Sequence, residues 1–145
     1  MRIALIFLSA LLYIGSAWAQ EEAVPNHVTK AFKQQFRCAE STTWYVEPDY
    51  YEVQFLQKTQ EKIAQYSKSS GELVETKILI EENLIPSPVI QAVRNKYPDY
   101  VLQEYSMLIR PETEPIYAIV LRAAAGTYSL EISSLGMVLN NVKTQ

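Results

Sequence analysis

The sequence predicts an α+β protein made of two tandem α-β-β-β(-β) repeats, with the helices packed on one face of antiparallel sheet. Two observations carry that expectation. The pattern Pro-x-x-Val-x-x-Ala occurs as Pro25, Val28 and Ala31, and again 61 residues later as Pro86, Val89 and Ala92. A fixed period of that kind is the signature of a repeated supersecondary unit. Each copy is then followed by short runs that alternate apolar and polar residues between turn-forming ones, the period of half-buried strands.

Taken in order, the chain opens with Arg2, an apolar run over residues 3–14, and a stretch from Gly15 to Ala19 with small residues at Ala17 and Ala19, the two positions a signal peptidase reads. That is the layout of a secretory signal peptide, with cleavage expected after Ala19. Twelve apolar residues at about 1.5 Å each span about 18 Å, against the ~30 Å of a hydrocarbon core. A cleaved leader is therefore the better reading than an anchor, and no membrane insertion is expected afterwards. Residues 20–145 form about one domain's worth of chain, with repeats near 24–82 and 83–145. The expected location is periplasmic or secreted.

In the first repeat, Val28, Ala31, Phe32 and Phe36 gather on one helical stripe and Lys30, Lys33 and Gln34 fall opposite. Asn26 is the expected N-cap. A helix of about ten residues is too short to stand alone, so it must dock. Strands then follow: Thr42 to Val46; Tyr51, Val53 and Phe55 alternating with Glu52 and Gln54; Ile63 to Ser67; and a last run in which Val74, Thr76, Ile78 and Ile80 share one side. Glu47, Pro48 and Asp49 form one turn, and residues 58–61 and 68–71 form two more.

The second repeat begins with Ser87 as the expected N-cap and Pro88 at the helix start, and its stripe is Val89, Ala92, Val93 and Tyr97. Val101, Tyr105, Met107 and Ile109 alternate with Glu104, Ser106 and Arg110. Tyr105 lies 61 residues after Trp44, which places both on the buried side. Across the longer loop 111–115 the offset grows to 66, aligning Tyr117, Ile119 and Leu121 with Tyr51, Val53 and Phe55. Tyr128, Leu130 and Ile132 make the next strand. Gly136 answers Gly71, and residues 137–142 form the last strand. Tyr51, Tyr97, Tyr105, Tyr117 and Tyr128 read as core or core-edge residues.

The leader, the two Pro-x-x-Val-x-x-Ala helices, Trp44, the Tyr51-x-Val53-x-Phe55 strand and the turns at Gly71 and Gly136 together resemble the PepSY-like, β-lactamase-inhibitor-like secreted proteins of Bacteroidetes. The resemblance covers the chain beyond the leader. It implies the fold of β-lactamase inhibitory proteins and a binding or inhibitory role. Arg37 departs from the pattern, standing where a proline often closes the first helix. The turn from Tyr66 to Gly71 is one residue longer than that from Ile132 to Gly136.

Composition argues against chemistry. Among 145 residues there is one histidine, one cysteine and four glycines. His27 sits at a helix start, where it reads as solvated, and it cannot assemble a triad or a zinc site without partners. No phosphate-binding loop is possible with isolated glycines. Glu81 and Glu82 precede the second helix, Glu112 and Glu114 lie in a loop, and Glu52 and Glu131 occupy wet strand positions that solvation explains. No catalytic residue, metal site or cofactor is expected. Without Arg2, 12 of the 13 basic residues face 16 acidic ones, with no dense basic cluster, which excludes nucleic acid as a partner. Cys38 cannot form an internal disulfide. Following directly on an apolar helix, it is expected to be buried rather than to pair between molecules.

What remains is a binding protein whose partner is another envelope or extracellular protein. The polar strand positions would line the face that the helices leave bare: Tyr45, Tyr50, Glu52, Gln54, Glu104, Arg122 and Glu131, with Ser106 among them. The loops 47–50 and 111–115 would extend the contact. An alternative is a small-ligand or envelope-stress sensor with a cleft between the repeats; a minor hydrolase is a third.

Overall fold

The computed structural model describes residues 23–144; the leader expected at 1–19 lies outside them. Helix α1 (Asn26–Gln35) precedes strands β1 (Glu40–Val46), β2 (Tyr50–Gln57), β3 (Gln60–Ser67) and β4 (Leu73–Leu79). After a 3-10 turn at Glu82–Leu84 the same order returns as α2 (Ser87–Lys96), β5 (Val101–Ile109), β6 (Ile116–Ala123), β7 (Gly126–Ser133) and β8 (Val138–Lys143). All eight strands form a single antiparallel sheet in chain order. The joint between the halves is a short ladder from Thr76–Ile109 to Leu79–Ser106.

Both helices lie on the same face. Val28 and Phe32 of α1 are buried against Tyr51, Val53, Phe55, Ala64 and Tyr66. Val89 and Val93 of α2 are buried against Ile119, Leu121, Leu130 and Ile132. Antiparallel partners share a face, and the rung Ile78–Met107–Tyr117–Ile132 carries that face across the joint from one core to the other. Fully burying one such aliphatic or aromatic side chain contributes about 1.5–3 kcal/mol. Docking, not propensity, therefore holds these ten-residue helices.

The caps differ from expectation. Pro25 and Pro86, not Asn26 and Ser87, occupy the N-cap positions, extended at ψ 146 and 143°, and neither makes a side-chain cap bond. Their carbonyls accept from Val28 and Thr29 N–H, and from Val89 and Ile90 N–H. A proline serves here because the cap position needs an extended backbone and an acceptor carbonyl, both of which it supplies.

Two strand assignments also shift. An extra residue in β4 opposite Gln65–Tyr66 turns Leu73 to the core and leaves Val74 47% exposed. One in β5, at Gln103, turns Leu102 inward and leaves Val101 54% exposed. A β-bulge reverses the alternation downstream of it, which a strict period of two cannot register. The bulges recur by half: β1 has one between Glu40 and Thr43, and β8 has one at Leu139. Cys38 corrects a further expectation. It is exposed, at φ 61° in the turn from α1 to β1, where the chain has left the helical stripe.

The four turns at the Gly71 end of the sheet include two that abut the start of their own half's helix. Gly71 and Gly136 have φ of 73 and 87°. A β-carbon on Gly71 would fall 2.5 Å from Nε2 of His27; on Gly136 it would fall 2.6 Å from the carbonyl oxygen of Pro88. The imidazole can swing aside, whereas the Pro88 carbonyl belongs to the helix backbone. Substituting alanine at Gly71 should cost about 1–2 kcal/mol, the penalty of a left-handed non-glycine residue. Gly136→Ala should cost clearly more, and urea denaturation of the two variants side by side checks the order.

Tyr66 is wholly buried in the first core, and its hydroxyl donates to Gln35 Oε1 at 2.7 Å. Burial pushes its pKa above the ordinary value of 10.0. The unfolded tyrosine therefore ionises first. This contribution to stability is complete below about pH 10 and falls above it by up to about 1.4 kcal/mol per pH unit. Tyr66→Phe should lose about 0.5–1.5 kcal/mol at neutral pH. It should also show a flatter decline between about pH 10 and 12, read from denaturant midpoints.

Candidate partner-binding face

With both helices on one face, the other is covered by no element. Each strand sends alternate residues there because the inward positions are committed to the two cores. The cross-strand register orders the face into rows. One runs Tyr45, Glu52, Gln65, Glu75. A second runs Gln54, Ile63, Lys77, Leu108, Ile116, Ser133. A third runs Leu79, Ser106, Ala118, Glu131, Asn140. Glu104 pairs with Val120, and Arg122 with Thr127.

All seven residues singled out from the sequence, Tyr45, Tyr50, Glu52, Gln54, Glu104, Arg122 and Glu131, therefore share this face. They do not form one cluster. Tyr45, Tyr50, Glu52 and Gln54 belong to the first half, and Glu104, Arg122 and Glu131 to the second. Tyr45 is 42% exposed, and Gln54, Glu104 and Arg122 are exposed as well. Tyr50 is half-buried, and its hydroxyl pKa is raised by partial desolvation and then by the charges of Glu52, Glu47 and Asp49. It stays a neutral hydroxyl beside three carboxylates.

Two of the seven are more than solvated. Glu52 accepts from Gln54 Nε2 at 3.2 Å and from Gln65 Nε2 at 3.1 Å. Glu131 accepts from Arg110 Nη2 at 2.9 Å, and Arg110 Nε donates to Glu75 at 2.7 Å. Solvation alone thus does not account for Glu52 and Glu131. Arg110 ties β4 of the first half to β7 of the second over the joint. The hydrogen bond to Glu131 leads the causes that raise the Arg110 pKa, with Glu75 adding to it against some desolvation. The alternation placed Arg110 on this face, but only the register shows that one guanidinium spans to carboxylates 35 residues before and 21 after it.

Between these polar groups the face is apolar at its centre. Leu108 and Ile116 are buried and Ser106 is 2% exposed, although no helix covers them. Leu79 stands beside them at 42% exposure. A groove of about 240 Å³ beside the joint is lined by Lys77, Leu79, Glu104 and Ser106 among others. Since β4 and β5 are hydrogen-bonded neighbours, the junction of the halves is a ladder. Among the described residues, no group of three or more His, Cys, Asp or Glu could hold a metal ion, and no helix is long and apolar enough to cross a membrane. His27 is exposed, lying over Gly71.

Comparison with solved structures finds the same architecture. A BLIP-like protein from Bacteroides fragilis matches with a TM-score of 0.76 at 17% identity, over 86% of this chain and 89% of that one. The fold is BLIP-like. A DUF2874 family protein from Bacteroides uniformis matches with a TM-score of 0.76 at 18% identity, over 83% and 90% of the two chains. A nominally periplasmic protein from Bacteroides eggerthii matches with 0.75 at 21%, over 84% and 90%. No family model and no curated protein matches the sequence. At these identities the likeness is one of fold.

Removing Arg110 leaves two carboxylates facing each other without their shared cation. Arg110→Ala should cost about 1 kcal/mol at low ionic strength, since the site is partly exposed. The cost should shrink near 1 M salt, where the screening length is about 3 Å. Denaturant titrations at both salt levels check it.

Proposed function

We propose that this chain is a non-enzymatic binding module of the bacterial envelope, periplasmic or secreted, that holds a partner protein against its bare sheet face. The observation that supports this reading is the one-sided placement of α1 and α2. Sheet of this size is normally covered on its apolar parts, and here the uncovered side carries an apolar centre at Leu79, Leu108 and Ile116. Around that centre stand polar side chains already held by hydrogen bonds, Glu52 and Glu131 above all. Pre-ordered polar groups around an apolar patch reduce the entropy lost on docking.

An exposed tyrosine supplies contact area and a hydroxyl at small entropic cost. Tyr45 is placed to do so at one end of the face, beside Tyr50 and the 47–50 turn. The 111–115 turn lies at the same end of the sheet, because turns that follow odd-numbered strands share an end. Inhibition of an envelope enzyme by occlusion is the finer form of the same role. No group on the face requires a reaction to explain it.

Covalent cross-linking in envelope extract, followed by purification of the captured protein, provides the partner for direct affinity measurement. Tyr45→Ala combined with Glu52→Lys should weaken that affinity at least about tenfold, or 1.4 kcal/mol. Lys30→Ala with Gln91→Ala, on the helices, should leave it unchanged. If the pair on the sheet binds as the parent does, the assignment of this face is wrong.

A further inference from the structure

A second concavity lies on the opposite side of the molecule, between α1 and β1. It has a volume of about 460 Å³ and is lined by Thr29, Phe32, Lys33, Phe36, Cys38, Ala39, Thr42 and Trp44. Its floor is aromatic. Phe32 stacks edge-on against Trp44 and Phe55 at 5.4 and 5.0 Å, and Phe36 lies 4.8 Å from Phe55. Phe36 and Trp44 remain only partly buried, so their rings face the groove instead of being sealed beneath it.

The matching place in the second half carries larger side chains. The offset of 61 runs unbroken from α1 through β1 to α2 and β5, so Phe36 corresponds to Tyr97, Trp44 to Tyr105 and Ala39 to Tyr100. Tyr97, Tyr100 and Tyr105 all pack against the second core. At the Ala39 position the first half thus has a methyl group where the second has a phenol ring. The backbone path differs as well, with Cys38 and Ser41 left-handed at φ 61 and 52°, and Ser41 stands where the second half packs Leu102 on its core, so the groove lies where the first half carries smaller side chains.

Charge says what the groove suits. Helix α1 carries no acidic residue, and its cations Lys30 and Lys33 are followed by Arg37 at the helix exit. Lys33 lines the groove and, among the described residues, makes no ion pair. An aromatic floor with an unpaired ammonium at its rim complements an apolar body that ends in an anionic group. The volume falls within the range of small-ligand sites.

We propose that this groove is a binding site for a small amphipathic anion, an apolar or aromatic body lying on Phe32, Phe36 and Trp44 with its acidic group at Lys33. The site is separate from the bare sheet face and does not depend on the function assigned to it.

The test uses the purified chain with 1-anilinonaphthalene-8-sulfonate as probe and dodecanoate as competitor. Cys38, the one cysteine in the chain and exposed at the groove, is the reporter of occupancy through its rate of alkylation. The probe should bind with one-site stoichiometry, be displaced by dodecanoate, and slow alkylation of Cys38 severalfold. Ala39→Tyr places at the groove wall the residue that stands at the matching position of the second half. It should abolish binding while leaving the denaturation midpoint near that of the parent. Lys33→Gln should weaken the probe about three- to tenfold, as loss of one charge-assisted contact would. Undiminished binding by Ala39→Tyr, or alkylation of Cys38 unaffected by saturating probe, overturns the proposal. Should Ala39→Tyr unfold, Lys33→Gln and the alkylation rate decide alone.

Discussion

The structure depends on a mutual requirement between each helix and the four strands that follow it. A ten-residue helix in water lacks the length to persist, and a four-stranded sheet with one apolar side lacks a cover. Val28 and Phe32 meet the first sheet half, and Val89 and Val93 the second. The close approach at Gly71 and Gly136 fixes where each helix begins relative to the last turn of its half. With helix position settled at that end and the apolar stripe settled along its length, the helices have one face to occupy and the sheet keeps the other.

That arrangement divides the molecule's chemistry. The helix side is apolar and aromatic, ending in a groove at Ala39, whose counterpart in the other half is Tyr100. The bare side sets polar groups, with Glu52 and Glu131 held across strands, around an apolar centre at Leu79, Leu108 and Ile116. Arg110 and its two carboxylates are its most organised part, joining the halves on the side where no core does so. On the two proposals made above, a macromolecule on one surface and a small molecule on the other would be separated by the core between them.

Much of this was legible because local pattern and global fold agree. The stripes of Val28, Phe32, Val89 and Val93 and the alternation in β2 and β6 specify faces directly, so the two helices, the strands and the membership of the bare face follow from period alone. What period could not supply was anything that breaks it or acts across it. Leu73 and Leu102 face the core because bulges reset the alternation, and a bulge leaves no composition signal at Val74 or Gln103. Cys38 is exposed because a left-handed turn follows α1 at once. Arg110 was visible as a polar strand residue, but its partners are set by register, Glu75 one strand away and Glu131 two. Tyr66, the largest wholly buried side chain among the described residues, sits between polar Gln65 and Ser67, which gives its side of the strand but not its complete burial beside Trp44 or its bond to Gln35.

The joint between the halves carries a further consequence. Its four rungs lie on the straight segments left between the bulges of β4 and β5, and β8 and β1 carry bulges at the matching places. A molecule whose outer strands resemble its inner joint would be expected to polymerise, each copy adding its β1 to the β8 of the last. The offsets place Leu108 and Ile109 of the joint at Glu47 and Pro48. The Glu47 N–H is committed to the carbonyl of Tyr50, and Pro48 has none. β1 stops at Val46, two rungs short of what the joint needs. β1 thus lacks the last two rungs that the internal joint uses, and Pro48 offers no N–H at the place where the ladder would continue.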